Sequence, residues 1–356
     1  LDLVHHGIHL SKTHNTGHYL AADHKRRYAV RKAAVDHEIT RIGDYRGMKI
    51  VFMGTPDFAV PVLEGIIKAG YEVGYVITQP DKAKNRGKKV QFTPVKELAL
   101  AHKIAVLQPE KIKKDAQTVA LLKDYAPDVI VVVAYGQIIQ REVLELPKFG
   151  CINVHASLLP KLRGASPIQH AILQGEEKTG VTIMQMSEGL DTGDMLSKVE
   201  TAVEQKNCEQ LHDELAQLGA DLLIETLPKI ESGAIRPEKQ DDRLSTYAGM
   251  IAKQDGKIDF HKTPTEIERQ IRAFDPWPGA YCQYGDQQMK IWRAECLTQQ
   301  SDAEYGTIVG VSDAGIDICC GGILLRATEI QLPGKKRVDV KSYLRGNKIE
   351  KNTLLG

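Results

Sequence analysis

The sequence predicts an α/β protein in which an open, mostly parallel sheet is followed by a smaller domain built of strands. Three observations predict this fold class. Strand-like and helix-like segments alternate from Met48, the segment DVIVVVAY is apolar on both faces, and short strands with glycine turns follow Tyr281. Such alternation is typical of a Rossmann-like parallel sheet covered by helices on both faces, with the fully apolar strand at its centre.

The elements of the larger domain follow in order along the chain. KIVFMG is the first predicted strand, and FAVPVLEGIIKAG is an amphipathic helix ending at Gly70. Further strands are predicted at YEVGYVIT, IAVLQ, DVIVVVAY, GCINVHA, VTIMQM and MLSKVETAV, and further helices at VKELALAHK, 115–125, IIQREVLEL and 208–227. A helix at 264–274 and the turn DPWPGA then precede short strands that predict a β-barrel.

Composition sets the predicted domain boundaries. Residues 1–47 hold seven of the twelve histidines and no sustained pattern, so we interpret them as a leader, an added segment or a misassigned start. A metal-binding histidine tract is the alternative, but the histidine spacing fits no compact site. Residues 48–236 form the predicted α/β domain, the polar segment 237–255 a linker, and residues 256–356 the barrel.

Charge and cysteine usage narrow the class of protein. Six cysteines without CxxC spacing indicate reduced thiols in the cytoplasm, and no apolar run reaches the roughly 18 residues of a membrane anchor. The net charge is +1, yet residues 81–96 hold six bases against one acid, and residues 335–351 seven against two. Two basic patches predict a polyanion contacted at two places; two solvated loops are the alternative.

The first candidate site follows the strand GCINVHA. Open α/β sheets bind ligands at the carboxyl ends of their strands, where Asn153, His155 and Ser157 should emerge. Asn153 and His155 are two residues apart and point the same way. An amide beside an imidazole can hold an oxyanion while a proton moves. The alternative is a strand-end turn whose polar side chains cap the next helix.

The second candidate site is GVTIMQMSEGLDTGDML. Asp191 lies in a loop after a strand of the same predicted sheet, which should deliver its carboxylate to the cleft edge that holds His155. An aspartate that only caps backbone amides is the alternative. No GxGxxG, GxxxxGK[ST], zinc spacing or GxSxG elbow occurs, which disfavours dinucleotide, nucleoside-triphosphatase, zinc and acyl-serine chemistry.

These motifs resemble the active-site pattern of the folate-dependent formyltransferases. The matching residues are Asn153-x-His155, SLLP at 157–160, and residues 180–196 with their LDTG core. FMGTPDF, TQPDKAKNRGKKV, HASLLPKLRGASPIQ and DPWPGA are most similar to the members that act on initiator methionyl-tRNA. The resemblance runs from about Met48 to the C-terminus, and it implies an OB-like barrel as the second, tRNA-binding domain.

The resemblance also implies a reaction and its residues. The formyl group of 10-formyltetrahydrofolate, a co-substrate, is transferred to the amino group of methionine on initiator tRNA, with no metal. The implied catalytic residues are Asn153, His155 and Asp191. The implied folate-binding residues are Ser157, Leu158, Leu159, Pro160, Tyr135, Gly136 and Leu190, with 187–190 completing the pterin pocket. The implied tRNA-binding residues are Arg86, Lys88, Lys89, Lys335, Lys336 and Arg337.

Two other functions compete with this one. A formyltransferase acting on a small amine, such as a glycinamide ribotide or an amino sugar, would use the same three residues but would not need the basic loop or the barrel. A non-catalytic nucleic-acid-binding protein would not need Asn153, His155 and Asp191 together. We expect a cytoplasmic monomer without a membrane partner. Where the family has Pro and Gly, this chain has Ala83, Lys84 and Asn85, which affects the predicted shape of the basic loop.

Overall fold

The computed structural model describes residues 46–83 and 90–356, and residues 47–356 form one compact unit. The interpretation of residues 1–47 therefore lies almost entirely outside the described residues, and so do Arg86, Lys88 and Lys89 of the basic loop.

A seven-stranded sheet organises the first part of this unit. The strands of this part are β1 (Arg46–Gly54), β2 (Tyr71–Ile77), β3 (Lys82–Ala83), β4 (Val90–Gln91), β5 (Ala105–Leu107), β6 (Val129–Val133), β7 (Cys151–His155), β8 (Arg163–Gly164), β9 (Lys178–Gln185), β10 (Met195–Ala202) and β11 (Tyr247–Ala248). The sheet has the order β10-β9-β7-β6-β1-β2-β5, so the fully buried β6 is central, as predicted. Strands β2 and β5 are parallel, and so are β1, β6 and β7, whereas β9 is antiparallel to both β7 and β10.

Helices cover both faces of the sheet. They are α1 (Val60–Lys68), α2 (Pro94–Ala101), α3 (Ala116–Tyr125), α4 (Arg141–Leu144), α5 (Pro167–Leu173) and α6 (Cys208–Glu231). Helices α1 and α6 pack on one face and α3 and α4 on the other, which gives two core clusters that share the strands. Helix α6 begins with a capping box in which Asn207 and Gln210 exchange hydrogen bonds.

One predicted helix is much shorter than expected. The segment IIQREVLEL forms a helix only at Arg141–Leu144. Ile139 is buried, but Ile138 is 81% exposed, so the first two apolar residues do not share a buried helical face. Apolar spacing over nine residues was too short a signal to separate a helix from a buried turn.

The second part of the unit is a barrel-like domain of antiparallel strands. Its elements are α7 (Pro264–Ala273), β12 (Ala280–Tyr284), β13 (Gln287–Gln300), β14 (Ile308–Ser312), β15 (Gly315–Cys320), β16 (Ile323–Gln331), β17 (Val338–Asp339) and α8 (Val340–Leu344). The sheet order is β12-β13-β16-β15-β14 around a separate hydrophobic core. Residues 353–356 bond to Gly306 and Ile308 on one side and to Gln283 on the other, which joins the two edge strands.

The segment predicted as a linker runs along the first part of the unit. Strand β11 pairs in parallel with β8, and Glu238 forms two backbone hydrogen bonds with Met195 at 2.8 Å. The division of the chain at 236 and 256 remains a prediction, because the described residues form one unit.

Candidate active site

Strand β7 carries the first two candidate residues. Asn153 and His155 alternate with Ile152 and Val154, which enter the core under α1 and α6, so the two polar side chains lie on the opposite face of the sheet. His155 is 6% exposed and Asn153 is half-buried. A buried imidazole needs hydrogen-bond partners, and its surroundings supply them.

Asp191 reaches these residues from a hairpin loop and not from the end of a parallel neighbour. Because β9 is antiparallel to β7, Gln185 at the end of β9 lies opposite Ile152, near the start of β7. The expectation that a second strand tip delivers the carboxylate to the same sheet edge is therefore wrong in its route. The loop between β9 and β10 instead brings Asp191, whose φ is 51°, back towards His155.

The carboxylate of Asp191 joins the candidate residues. Its Oδ1 lies 3.4 Å from Asn153 Nδ2, and its Oδ2 lies 3.7 Å from His155 Nδ1. Oδ2 also accepts a hydrogen bond of 2.9 Å from Gly164 N. The three predicted side chains thus share one cluster. The alternative interpretation, in which the aspartate binds a backbone amide, also holds, because Oδ2 accepts from Gly164 N.

Two close backbone approaches shape this cluster. A Cβ added at Gly193 would lie 1.7 Å from Gln185 O, so the hairpin closes only because residue 193 has no side chain. Gly164 has φ 116°, and a Cβ there would lie 2.6 Å from Ala248 O. Glycine is therefore required on both sides of the Asp191 carboxylate.

The imidazole of His155 is oriented by the turn that follows it. Its Nε2 lies 3.0 Å from Leu162 O, and because a carbonyl only accepts, Nε2 carries the proton. Nδ1 therefore faces Asp191 Oδ2. At 3.7 Å the two atoms are too far apart for a direct hydrogen bond, so Nδ1 can serve a substrate atom.

The SLLP segment is mostly turned inwards. Ser157 is buried, and its hydroxyl donates to Lys161 O at 2.7 Å. Leu159 is buried against Met184 and Met195, and its amide donates to Thr182 Oγ1 at 3.1 Å. Leu158 and Pro160 are half-buried. Side-chain contact with a folate is therefore open to Leu158 and Pro160, while Ser157 and Leu159 build the turn.

The remaining candidate folate residues lie beyond β6 and in the hairpin loop. Tyr135 is 2% exposed in the core below α3, and burial raises the pKa of its phenol, so its side chain does not line an open cleft. Its carbonyl accepts from Thr55 and Gln79, each at 3.1 Å. Gly136 is exposed, and Leu190 is 62% exposed.

Arg337 is held by carboxylates inside the barrel domain. Its Nη1 lies 3.0 Å from both oxygens of Asp275, and Nε and Nη2 donate to Glu329 at 2.7 and 3.0 Å. The guanidinium also lies 4.9 Å from the Trp292 ring centre, and Asp275 accepts from Asn207 in the first domain at 3.0 Å. These contacts argue against its predicted role as a phosphate contact. Lys335 and Lys336, by contrast, are exposed.

Sequence reasoning missed three residues that support the cluster. Gln240 donates to Asp191 O, Thr246 accepts from Leu162 N, and Arg163 donates to the side-chain oxygen of Gln240. No local signal marked Gln240 or Thr246, because both lie in a polar segment interpreted as a linker. An arginine next to the leucines of the LLPKLRG stretch was the one available hint for Arg163.

No group of three or more His, Cys, Asp or Glu residues within 46–83 and 90–356 could hold a metal ion. None of the helices in that part of the chain has the length and apolar character to cross a membrane.

Comparison with known proteins then gives the class. The family Formyl transferase matches residues 48–227, and Formyl transferase, C-terminal domain, matches residues 250–348. An N-formyltransferase from Helicobacter canadensis, solved with folinic acid and dTDP-3-aminofucose, has a TM-score of 0.60 at 21% identity and covers 79% of this chain and 98% of its own. That likeness shows the fold alone.

Curated relatives give the family within this class. A methionyl-tRNA formyltransferase from Clostridium novyi (strain NT) is 49% identical over 309 residues, covering 86% of this chain and 100% of that protein. One from Clostridioides difficile (strain 630) is 50% identical over 310 residues, covering 87% and 100%. The chain therefore belongs to the methionyl-tRNA formyltransferase family, and the resemblance seen in the motifs is confirmed.

Proposed function

We propose that this enzyme transfers the formyl group of 10-formyltetrahydrofolate to the α-amino group of methionine on initiator tRNA. The observation that carries the proposal is the cluster of Asn153, His155 and Asp191 around one carboxylate. Membership of the methionyl-tRNA formyltransferase family supplies the substrates.

The cluster can perform acyl transfer without a nucleophilic side chain. The folate supplies a formyl group bonded to nitrogen, and the methionine amine attacks its carbon, so that one C–N bond forms and the other breaks. Peptide α-amino groups have pKa values near 8, so a useful fraction is neutral at pH 7. The enzyme then needs to align the substrates, to stabilise an oxyanion and to move a proton.

Each residue of the cluster has one of these tasks. Asn153 Nδ2 is held only weakly by Asp191, at 3.4 Å, so its N–H groups can donate to the developing oxyanion. His155 Nδ1–H, when the ring is protonated, is the second donor. Asp191 accepts the proton that leaves the amine, directly or through water, and the folate nitrogen takes up a proton as its bond breaks.

The residues around the cluster fit a flat heterocycle. Ile138 and Leu190 are apolar side chains that are 81% and 62% exposed, so both are open to contact with a ligand. Apolar walls beside backbone groups are typical of sites for cofactor-sized ligands. We propose that Leu158, Pro160, Gly136 and Leu190 contact the folate directly, and that Ser157, Leu159 and Tyr135 support it through their backbone.

The tRNA contacts are proposed for two basic regions. The exposed Lys335 and Lys336 would contact the phosphate backbone. Arg86, Lys88 and Lys89, outside the described residues, would meet the acceptor end of the tRNA. The candidate site is complete within one chain, which supports a monomer. All six cysteines are free, which is consistent with work in the cytoplasm.

The test compares acceptors and one substitution. Purified protein is incubated with 10-formyltetrahydrofolate and either methionyl initiator tRNA or small amines, including an amino sugar and glycinamide ribotide. We expect formylation of the tRNA alone; formylation of the small amines alone would overturn the proposed acceptor.

Asp191→Asn tests the site itself. We expect kcat to fall by about 10²–10⁴, with the KM for the folate nearly unchanged, because a proton acceptor is lost. Asp194→Asn in the same loop is the matched control. Asp194 holds the hairpin through its backbone carbonyl, which accepts from Gln185 N at 2.8 Å, and the substitution keeps that bond. Unchanged turnover in Asp191→Asn would refute the assignment.

A further inference from the structure

The segment 237–255, predicted as a linker, contacts the loop that carries Asp191. The side-chain amide of Gln240 donates to Asp191 O and to Gly193 O, both at 2.8 Å. Its oxygen accepts from Arg163 Nε at 2.9 Å. All the hydrogen-bonding groups of this side chain are therefore used to join the hairpin loop to a buried arginine.

A second residue of the same segment holds the turn behind His155. Thr246 Oγ1 accepts from Leu162 N at 2.9 Å, and Thr246 O accepts from Arg163 N at 2.9 Å. The carbonyl of Leu162 is the one that binds His155 Nε2. Thr246 O therefore holds the Leu162–Arg163 peptide, whose carbonyl orients the imidazole, and Thr246 Oγ1 holds the peptide before it.

We propose that Gln240 and Thr246 are positioning residues for the formyl transfer, Gln240 acting through Asp191 and Thr246 through Leu162 and His155. The inference rests on the proposed function for its reaction. The hydrogen bonds of both side chains near the site go to backbone atoms, so each acts through the backbone. The loop needs such support, because Asp191 is a non-glycine residue with φ 51° and its carboxylate must stay near two other groups.

Gln240→Glu gives the sharpest test of the first residue. The variant keeps the size of the side chain and its bond to Arg163, but it replaces two donors with an oxygen that faces two carbonyls. We expect kcat to fall about 10- to 100-fold while the KM values for folate and tRNA change less than about threefold, because substrate binding is retained and alignment is lost. Gln240→Met, which keeps length and packing, should show the same split if Gln240→Glu does not fold.

Asp242→Asn is the matched control. Asp242 bonds to Arg163 Nη2 at 2.7 Å but is 81% exposed. We expect it to keep kcat within about twofold of the wild type. A kcat within threefold of the wild type in folded Gln240→Glu or Gln240→Met would overturn the role of Gln240.

Thr246 is tested by a loss and a rescue. Thr246→Val keeps the shape and removes the acceptor for Leu162 N, so kcat should fall about tenfold, and Thr246→Ser should restore it. Equal kcat in both variants would overturn the role of Thr246.

A double variant separates positioning from general destabilisation. Adding Gln240→Glu to Asp191→Asn should lower kcat by less than about twofold further, because the group that it positions is already removed. Fully additive losses would overturn the inference. The wild-type acceptor assay decides the proposed function separately, since these ratios can be measured with whichever amine the enzyme formylates.

Discussion

Gly193→Ala tests whether the hairpin loop sets the position of Asp191. An added Cβ would lie 1.7 Å from Gln185 O, whereas real Cβ atoms essentially never approach closer than 3.0 Å. The loop must therefore move by more than about 1 Å. Misplacement by about 1 Å can lower a rate by about 10²-fold, because the reacting groups are no longer aligned. Asp191 is two residues away, so we expect kcat to fall about 10²-fold.

The assay is steady-state formylation of methionyl-tRNA, with kcat and both KM values measured separately. We expect the loss in kcat, since Asn153 and His155 remain on β7. Gly249→Ala is the matched control, because a Cβ at that exposed position meets nothing within 4 Å. Thermal unfolding of both variants checks folding. If folded Gly193→Ala keeps kcat within threefold of the wild type, the loop does not control the carboxylate and the reasoning fails.

Three further predictions concern stability, tRNA binding and pH. Arg337→Ala should lower the free energy of unfolding, measured by urea titration, by about 2–3 kcal/mol. The loss should be less than for a fully buried pair, because Arg337 is 33% exposed. Arg293→Ala removes a 75% exposed partner of the same glutamate and should change the free energy of unfolding by less than about 0.5 kcal/mol. Replacing Lys335 and Lys336 with Gln should reduce the slope of log Kd for tRNA against log salt concentration by about 1–2; an unchanged slope would exclude both as phosphate contacts. Burial raises the pKa of Asp81, but hydrogen bonds from two side chains outweigh it and leave the pKa in the folded protein below the ordinary 3.8. The ionised Asp81 therefore stabilises the fold above pH 3.8, and this stabilisation is lost as the pH falls through the lower pKa of the folded protein. Protection factors of backbone amides at the base of the β3–β4 hairpin, which correct for the intrinsic exchange rate, should therefore fall below about pH 4 in the wild type and show no such acid step in Asp81→Asn.

The sequence predicted the existence of the strands better than their direction. Val129–Val133 is apolar at every position, and that pattern alone placed it at the sheet centre. The local sequence does not indicate that β9 is antiparallel, because a buried strand has the same composition whether it is parallel or antiparallel to its neighbours. The structure brings Asn153, His155 and Asp191 into one cluster, but Asp191 reaches it by a path that the sequence did not indicate, and the catalytic role of the three residues stays a prediction.

Charge patterns had a similar limit. Lys335, Lys336 and Arg337 are consecutive bases, and the sequence gives no reason to separate them. In the fold two are exposed, and the third is bound to Asp275, which lies 62 residues earlier. Charge counting treats each base as available, but availability depends on carboxylates that are close in space and remote in the chain.

The segment 237–255, between the two parts of the fold, does more than connect them. At one end Glu238 bonds to Met195 and Gln240 bonds to the Asp191 loop. At the other, Gln270 in α7 donates to the carbonyls of Asp255 and Lys257, at 2.8 and 3.1 Å. A flexible spacer would keep its polar groups in water, whereas these groups are committed to both parts of the fold. Gln240 and Thr246, two of the polar residues that suggested a linker, hydrogen-bond to the backbone around the candidate site, so a polar composition alone did not separate a linker from a segment packed on the fold.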